Sequence, residues 1–239
     1  MPARAPVTTI GFDADDTLWH NETVFRLTED RFTGLLAEYT DTDRLAERLL
    51  EAERRNLQLY GYGVKGFTLS MIETALEVTD ARLPSRVIAD ILEAGREMLS
   101  HPVDPLPHVR ETLTRLADGY RLVLITKGDL FDQERKLAES GLAEHFDAVE
   151  IVAEKHTDTY RRLFARHGDG AERAMMVGNS VRSDILPALD AGAHAVHVPY
   201  HITWAMEDAE PPRSHARLHR IAHLGELDTV LESLHRPER

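Results

Sequence analysis

Residues 8–18 read Thr8-Thr9-Ile10-Gly11-Phe12-Asp13-Ala14-Asp15-Asp16-Thr17-Leu18. The first five form the short, β-branched, apolar run expected of a buried strand, and three acids follow at its end. Carboxylates at i and i+2 of an extended chain point the same way. Unpaired buried charge is costly, so acids massed beside a buried strand call for a cation. Magnesium is the natural candidate, being a hard ion that takes one or two carboxylates together with water and phosphate oxygens. Read alone, the stretch also fits an acidic turn that closes a strand.

Four further runs of the same kind lie downstream: Arg121 to Ile125, Ala148 to Val152, Ala174 to Val177 and Ala193 to Val198. Between them stand helical patterns over Val109 to Ala117, Gln133 to Ser140, Thr157 to His167 and Ser183 to Ala191, with Gly141 and Gly192 as stops. Strand alternating with helix predicts an α/β fold, a Rossmann-like parallel sheet with helices on both faces. Chemistry in such folds sits at the carboxyl ends of the strands.

From Trp19 to Asp104 the alternation breaks. Helical patterns cover Glu22 to Tyr39, Thr42 to Tyr60, Thr68 to Thr79 and Pro84 to Leu99, and a Pro-rich return, residues 101–107, follows. The expected organisation is a catalytic core from residues 1–18 and 105–239, with an inserted all-helical cap domain at 19–104. After Tyr200 the pattern weakens until a closing helix over Leu227 to Leu234.

Each of three other strand ends carries a polar group suited to a phosphoryl ligand. Thr126 follows Ile125 and can donate its hydroxyl, while Lys127 and Gly128 offer N–H groups at a turn. Lys155, beyond Val152, can neutralise charge on a transferring phosphoryl group. Gly178-Asn179-Ser180-Val181-Arg182-Ser183-Asp184 follows Val177 and supplies Asp184 as a further carboxylate and Asn179 as a neutral oxygen donor. Singly, each fits a cap or surface residue; their order and spacing carry the argument.

Taken together, Asp13 to Thr17, Thr126, Lys155 and Gly178 to Asp184 resemble the four motifs of the haloacid dehalogenase-like hydrolase superfamily, across almost the whole chain. The resemblance implies a magnesium-dependent phosphatase working through an aspartyl-phosphate. Asp13 is then the nucleophile and Asp15 the general acid and base. Mg²⁺ is held by Asp13, the Asp15 backbone carbonyl and Asp184, with Asn179 near it, and Thr126, Lys127 and Lys155 hold the phosphate. Position 16 is Asp where Gly is commoner, which is expected to add charge near the metal. Asn179 stands where many members have Asp, which implies weaker metal affinity. Dehalogenases of the superfamily lack a counterpart of Asp15, since a halide needs no proton. Phosphonate-cleaving members lack it too and use a cap lysine, a role for which Lys65 is the one cap candidate. A phosphomutase or other phosphotransferase shares the core motifs, and a non-catalytic binding protein could retain the fold.

Gly61-Tyr62-Gly63-Val64-Lys65-Gly66 matches G-x-G-x-x-G but follows a helical pattern rather than a strand, against a dinucleotide fingerprint. The better expectation is a flexible loop between cap helices, with Lys65, Tyr62 or Tyr60 reaching the leaving group. His215, His219 and His223, spaced by four, would share one face of a helix as metal ligands, but no nearby acid supports that reading. With 28 Lys and Arg against 41 Asp and Glu, the net charge of −13 disfavours nucleic acid and anionic lipid and leaves a small phosphorylated metabolite as the expected partner. The chain has no cysteine, and neither Met1–Pro6 nor any later stretch has a signal-peptide or membrane-spanning pattern, so a cytoplasmic protein is expected.

Overall fold

The computed structural model describes residues 7–235. Met1–Pro6, read above for the lack of a targeting signal, lies outside the described residues. Six strands form one parallel sheet: β1 (Thr9–Phe12), β2 (Arg121–Lys127), β3 (Ala148–Val152), β4 (Ala174–Gly178), β5 (His194–His197) and β6 (Leu218–Arg220), in the order β3-β2-β1-β4-β5-β6. Nine α-helices accompany them among the described residues. These are α1 (Glu22–Leu36), α2 (Thr42–Tyr60), α3 (Val64–Val78), α4 (Ser85–Leu99), α5 (Val109–Ala117), α6 (Leu130–Ser140), α7 (Thr157–His167), α8 (Leu186–Asp190) and α9 (Leu227–His235). None is long and apolar enough to cross a membrane.

The described chain divides into two compact units, residues 7–22, 103–127 and 136–235, and residues 23–102 with 128–135. In the sheet unit the period-two alternation of β2 sends Leu122 and Leu124 to one face and Val123 and Ile125 to the other. The first pair packs with Leu113 and Leu116 of α5 and Leu227 of α9, the second with Leu163 and Phe164 of α7 and Leu189 of α8. Both faces are therefore buried, which is why the strands read as continuous apolar runs. Central β1 is closely enclosed. A Cβ on Gly11 would come within 3.0–3.2 Å of Ile125, Met176 and Phe164.

The helical unit has its own apolar core, with Phe32 and Leu36 of α1, Leu45 and Leu49 of α2, Phe67 and Met71 of α3 and Ile91 and Met98 of α4. At Gly95 helix α4 approaches α3 so closely that a Cβ would lie 2.4 Å from the Thr68 hydroxyl.

Three local expectations differ from the structure. Helix α3 begins at Val64, so Lys65 lies in its first turn and not in a flexible loop. The left-handed glycines Gly61 (φ 73°) and Gly63 (φ 102°) reverse the chain in three residues. The segment around His219 is a strand: β6 pairs with β5, with His219 opposite Val196, so His215, His219 and His223 do not share a helical face. His219 stacks on His194 and His223 lies against His108. The helix expected from Ser183 starts instead as a wide π-helical turn, Val181–Ile185, before α8.

Candidate active site

The carboxyl ends of β1, β2 and β4 and the loop after β3 converge within the sheet unit. Strand β1 stops at Phe12, and the Asp13 N–H still bonds the Val177 carbonyl at 2.9 Å. The chain then turns, since the N–H groups of Thr17 and Leu18 both donate to the Ala14 carbonyl. Asp13 and Asp15 consequently meet different partners.

Asp13 is buried, and its Oδ1 accepts from the Lys155 ammonium. The same ammonium donates to Asp184 Oδ1 at 2.8 Å. Lys155 and Asp184 are both nearly sealed from solvent, with side-chain exposures of 2% and 1%. One cation thus stands between two buried anions. Burial, reinforced by the Asp184 charge, pushes Asp13 up to about 7 against the pull of Lys155. Burial lowers Lys155, but Asp13 and Asp184 outweigh it and leave the ammonium above its ordinary value.

Thr17 ties the first strand end to the fourth. Its hydroxyl accepts from the Asn179 N–H at 3.0 Å, and its single proton is shared between Asp13 Oδ2 at 3.1 Å and Asn179 Oδ1 at 3.2 Å. Asp184 folds back so that Oδ2 accepts from the Ser180 N–H at 3.0 Å. A side chain at Gly178 would exclude that pose, because its Cβ would lie 2.3 Å from Asp184 Oδ2. Thr126 is buried at the end of β2, in the strand that flanks β1.

Asp16 departs from the expectation of charge directed at a metal. It adopts a left-handed backbone (φ 62°), and its carboxylate accepts the N–H groups of Asn21 and Glu22, at 2.9 and 3.0 Å, at the start of α1. Burial pushes it up to about 7 despite those bonds. Its role is that of a helix N-cap.

Lys127, expected to bind phosphate, is engaged by a residue the sequence does not signal. Its ammonium donates to Glu207 Oε1 and to the Ser183 hydroxyl at 2.8 Å. Glu207 Oε2 accepts from the hydroxyls of Ser180 and Ser183, both at 2.5 Å. Burial raises Glu207, and Lys127 and the two serines more than reverse it, so it lies below the usual carboxylate range. Lys65 belongs to the helical unit, where its ammonium lies 2.9 Å from both Asp129 oxygens and 5.4 Å from the Phe131 ring centroid. Tyr62 lies in the turn before α3 of the same unit.

The donors at the strand ends suit a hard divalent cation. Asp13, Asp184 and Asn179 offer only oxygen, and a buried pair of carboxylates against one lysine leaves negative charge to be balanced. Among the described residues no three His, Cys, Asp or Glu side chains are arranged as a metal cluster. Magnesium requires no such cluster, since one or two carboxylates with carbonyls and water suffice.

A profile of haloacid dehalogenase-like hydrolases matches residues 7–192. The chain is a haloacid dehalogenase-like hydrolase. A solved hydrolase of this family from Xanthomonas campestris is 42% identical and superposes with a TM-score of 0.86, over 95% of this chain and 91% of that one. A glyceraldehyde 3-phosphate phosphatase of Methanothermobacter thermautotrophicus is 36% identical over 110 residues, 44% of this chain and about half (49%) of that relative's length. The pyrimidine 5′-nucleotidase YjjG of Escherichia coli is 25% identical over 229 residues, 90% of this chain and 96% of its own. The match and the superposition show that this haloacid dehalogenase-like hydrolase has the α/β fold of its family.

Proposed function

We propose that the protein is a magnesium-dependent phosphatase that hydrolyses a small phosphomonoester through an aspartyl-phosphate on Asp13. The observation that carries this reading is the buried Asp13–Lys155–Asp184 group with a second carboxylate, Asp15, two residues from the nucleophile. An alkoxide leaving group needs a proton and a halide does not, so Asp15 favours ester over carbon–halogen cleavage. The phosphatase and nucleotidase relatives agree with that choice.

In the proposed reaction an Asp13 oxygen forms a bond to phosphorus as the bond from phosphorus to the ester oxygen breaks, and Asp15 delivers its proton to that oxygen. Asp15, now a carboxylate, takes a proton from water as the water oxygen attacks the aspartyl-phosphate. Inorganic phosphate leaves and Asp13 is restored. Lys155 and the Thr126 hydroxyl hold phosphoryl oxygens, while the Lys127 ammonium is paired with Glu207. Bound between Asp13, Asp184, Asn179 and the Asp15 carbonyl, magnesium would offset repulsion between nucleophile and substrate.

We assign the helical unit as the cap and Lys65 and Tyr62 as the residues that tune substrate preference. The substrate class is a small sugar phosphate or nucleoside monophosphate. Phosphate release from a panel of such esters, with Mg²⁺ and with EDTA, tests the proposal. Magnesium-dependent turnover is expected, and a folded protein inert toward every ester would defeat it.

A further inference from the structure

The chain carries 28 Lys and Arg, yet only four are lysine: Lys65, Lys127, Lys136 and Lys155. Three of these lie in the sheet unit with side chains 2–14% exposed, and each is paired with an acid. Lys136 is the one the phosphatase mechanism leaves without a role. It lies on the inward stripe of α6 with Gln133, Leu137 and Ser140, and is 8% exposed. A lysine so placed gives up hydration and rotamer freedom, a cost that an ordinary surface ion pair does not recover.

Its ammonium lies 2.9 Å from Asp15 Oδ1 and 2.8 Å from Asn21 Oδ1. Trp19 Nε1 donates to the same Asp15 oxygen at 2.7 Å, and Trp19 is itself buried. Two donors of fixed origin therefore converge on one oxygen of the second carboxylate. Asn21 Oδ1 accepts from the same ammonium, so Asp15 is not the sole partner that holds the lysine in place. Arginine would be a poor substitute, since its planar fork is wider than the point-like ammonium that fits between Asp15 and Asn21.

We propose that Lys136, with Trp19, is the positioning residue of Asp15, pinning Oδ1 so that the carboxyl group is held in place for the leaving group and then for the attacking water. This inference rests on the reading of Asp15 as the acid and base of a phosphatase. Lys136 touches neither substrate nor phosphorus in it. Misplacement of a proton donor by a fraction of an ångström is costly to the step it assists and leaves substrate binding intact.

The test compares esters that differ in their need for a proton. Wild type, Lys136→Met, Lys136→Gln and Trp19→Phe are assayed with Mg²⁺ on an alkyl phosphate and on 2,4-dinitrophenyl phosphate, whose leaving group departs unprotonated. For Lys136→Met, kcat on the alkyl ester is expected to fall about 100-fold, within the range of general acid catalysis, with KM within about twofold. The first-turnover burst of dinitrophenolate is expected to stay within about threefold of wild type, because that step needs no proton. Lys136→Gln, which keeps an N–H donor, should recover about a tenth of the lost rate, and Trp19→Phe should lose about tenfold in kcat on the alkyl ester with the dinitrophenolate burst within about threefold of wild type. If Lys136→Met does not fold, the selective losses in the Gln and Phe variants support the inference and equal losses on both esters overturn it. Equal losses in Lys136→Met, or none on the alkyl ester, overturn it as well. Wild type inert toward both esters would defeat the phosphatase reading and this inference with it.

Discussion

The two units of this hydrolase handle charge in opposite ways. In the helical unit the ion pairs are made mostly by arginine and lie in solvent, as in Arg55 with Glu73 and Glu77, Arg31 with Glu97, and Arg96 with Glu93. Its core is apolar. In the sheet unit the pairs at the strand ends are made by lysine and are buried. Exposed pairs are screened and each contributes little, whereas a buried cation between two carboxylates decides whether either can remain ionised. The difference marks where the chain retains costly charge, and chemistry is the reason to retain it.

The largest effect is expected from Asp13→Asn. Turnover should fall by at least about 1,000-fold with the fold retained, because the amide cannot form the covalent intermediate. Steady-state phosphate release together with circular dichroism checks it, and substantial residual activity would move the nucleophile elsewhere. Lys155→Met should abolish turnover and also destabilise the sheet unit by about 3 kcal/mol, since Asp13 and Asp184 lose their shared cation. Urea unfolding measures that loss, and a stability equal to wild type would contradict the account of the buried pair.

A pH effect of intermediate size follows from Asp13 and Asp16, both raised from 3.8 to about 7 by burial. A raised carboxylate favours the folded state when protonated, so its contribution is complete below about pH 4 and is lost as pH rises through 7. Each group should therefore lower stability progressively as pH rises across that window. Thermal melts in EDTA should show Tm falling from pH 5 to 8, with the fall shallower in Asp16→Asn. Magnesium should recover more of Tm at pH 8 than at pH 5, since it favours the ionised Asp13. A Tm that rises across the window would refute the assignment. The smallest effect belongs to the helical unit: Arg55→Ala should cost less than about 1 kcal/mol and leave kcat unchanged, because its partners are solvated. A larger loss would erase the contrast between the units.

Much of this was legible in the chain. The five apolar runs stand as β1 to β5, because a strand buried on both faces must be apolar throughout, and that is a local property. Strand β6 escaped notice since Leu218-His219-Arg220 is short and edge-lying, with little apolar content to distinguish it from a loop. Lys65 was misplaced by three residues of turn geometry that two left-handed glycines allow. Asp16 looked like part of the acidic cluster because composition does not reveal a left-handed bend that aims a carboxylate at a helix start. Lys136 had a faint signal, a lysine on the apolar stripe of α6 beside Leu137. Glu207 had none, in a loop without periodicity.

By itself the sequence determined the α/β class, the family and the types of group at the strand ends, because periodicity and strand-end polarity are written within a few consecutive residues. Only the tertiary structure decided which cation holds which carboxylate. Lys155 reaches Asp13 across 142 positions and Lys136 reaches Asp15 across 121. Pairings at such separations leave no local pattern, and they form only when parallel strands bring their ends to one edge of the sheet.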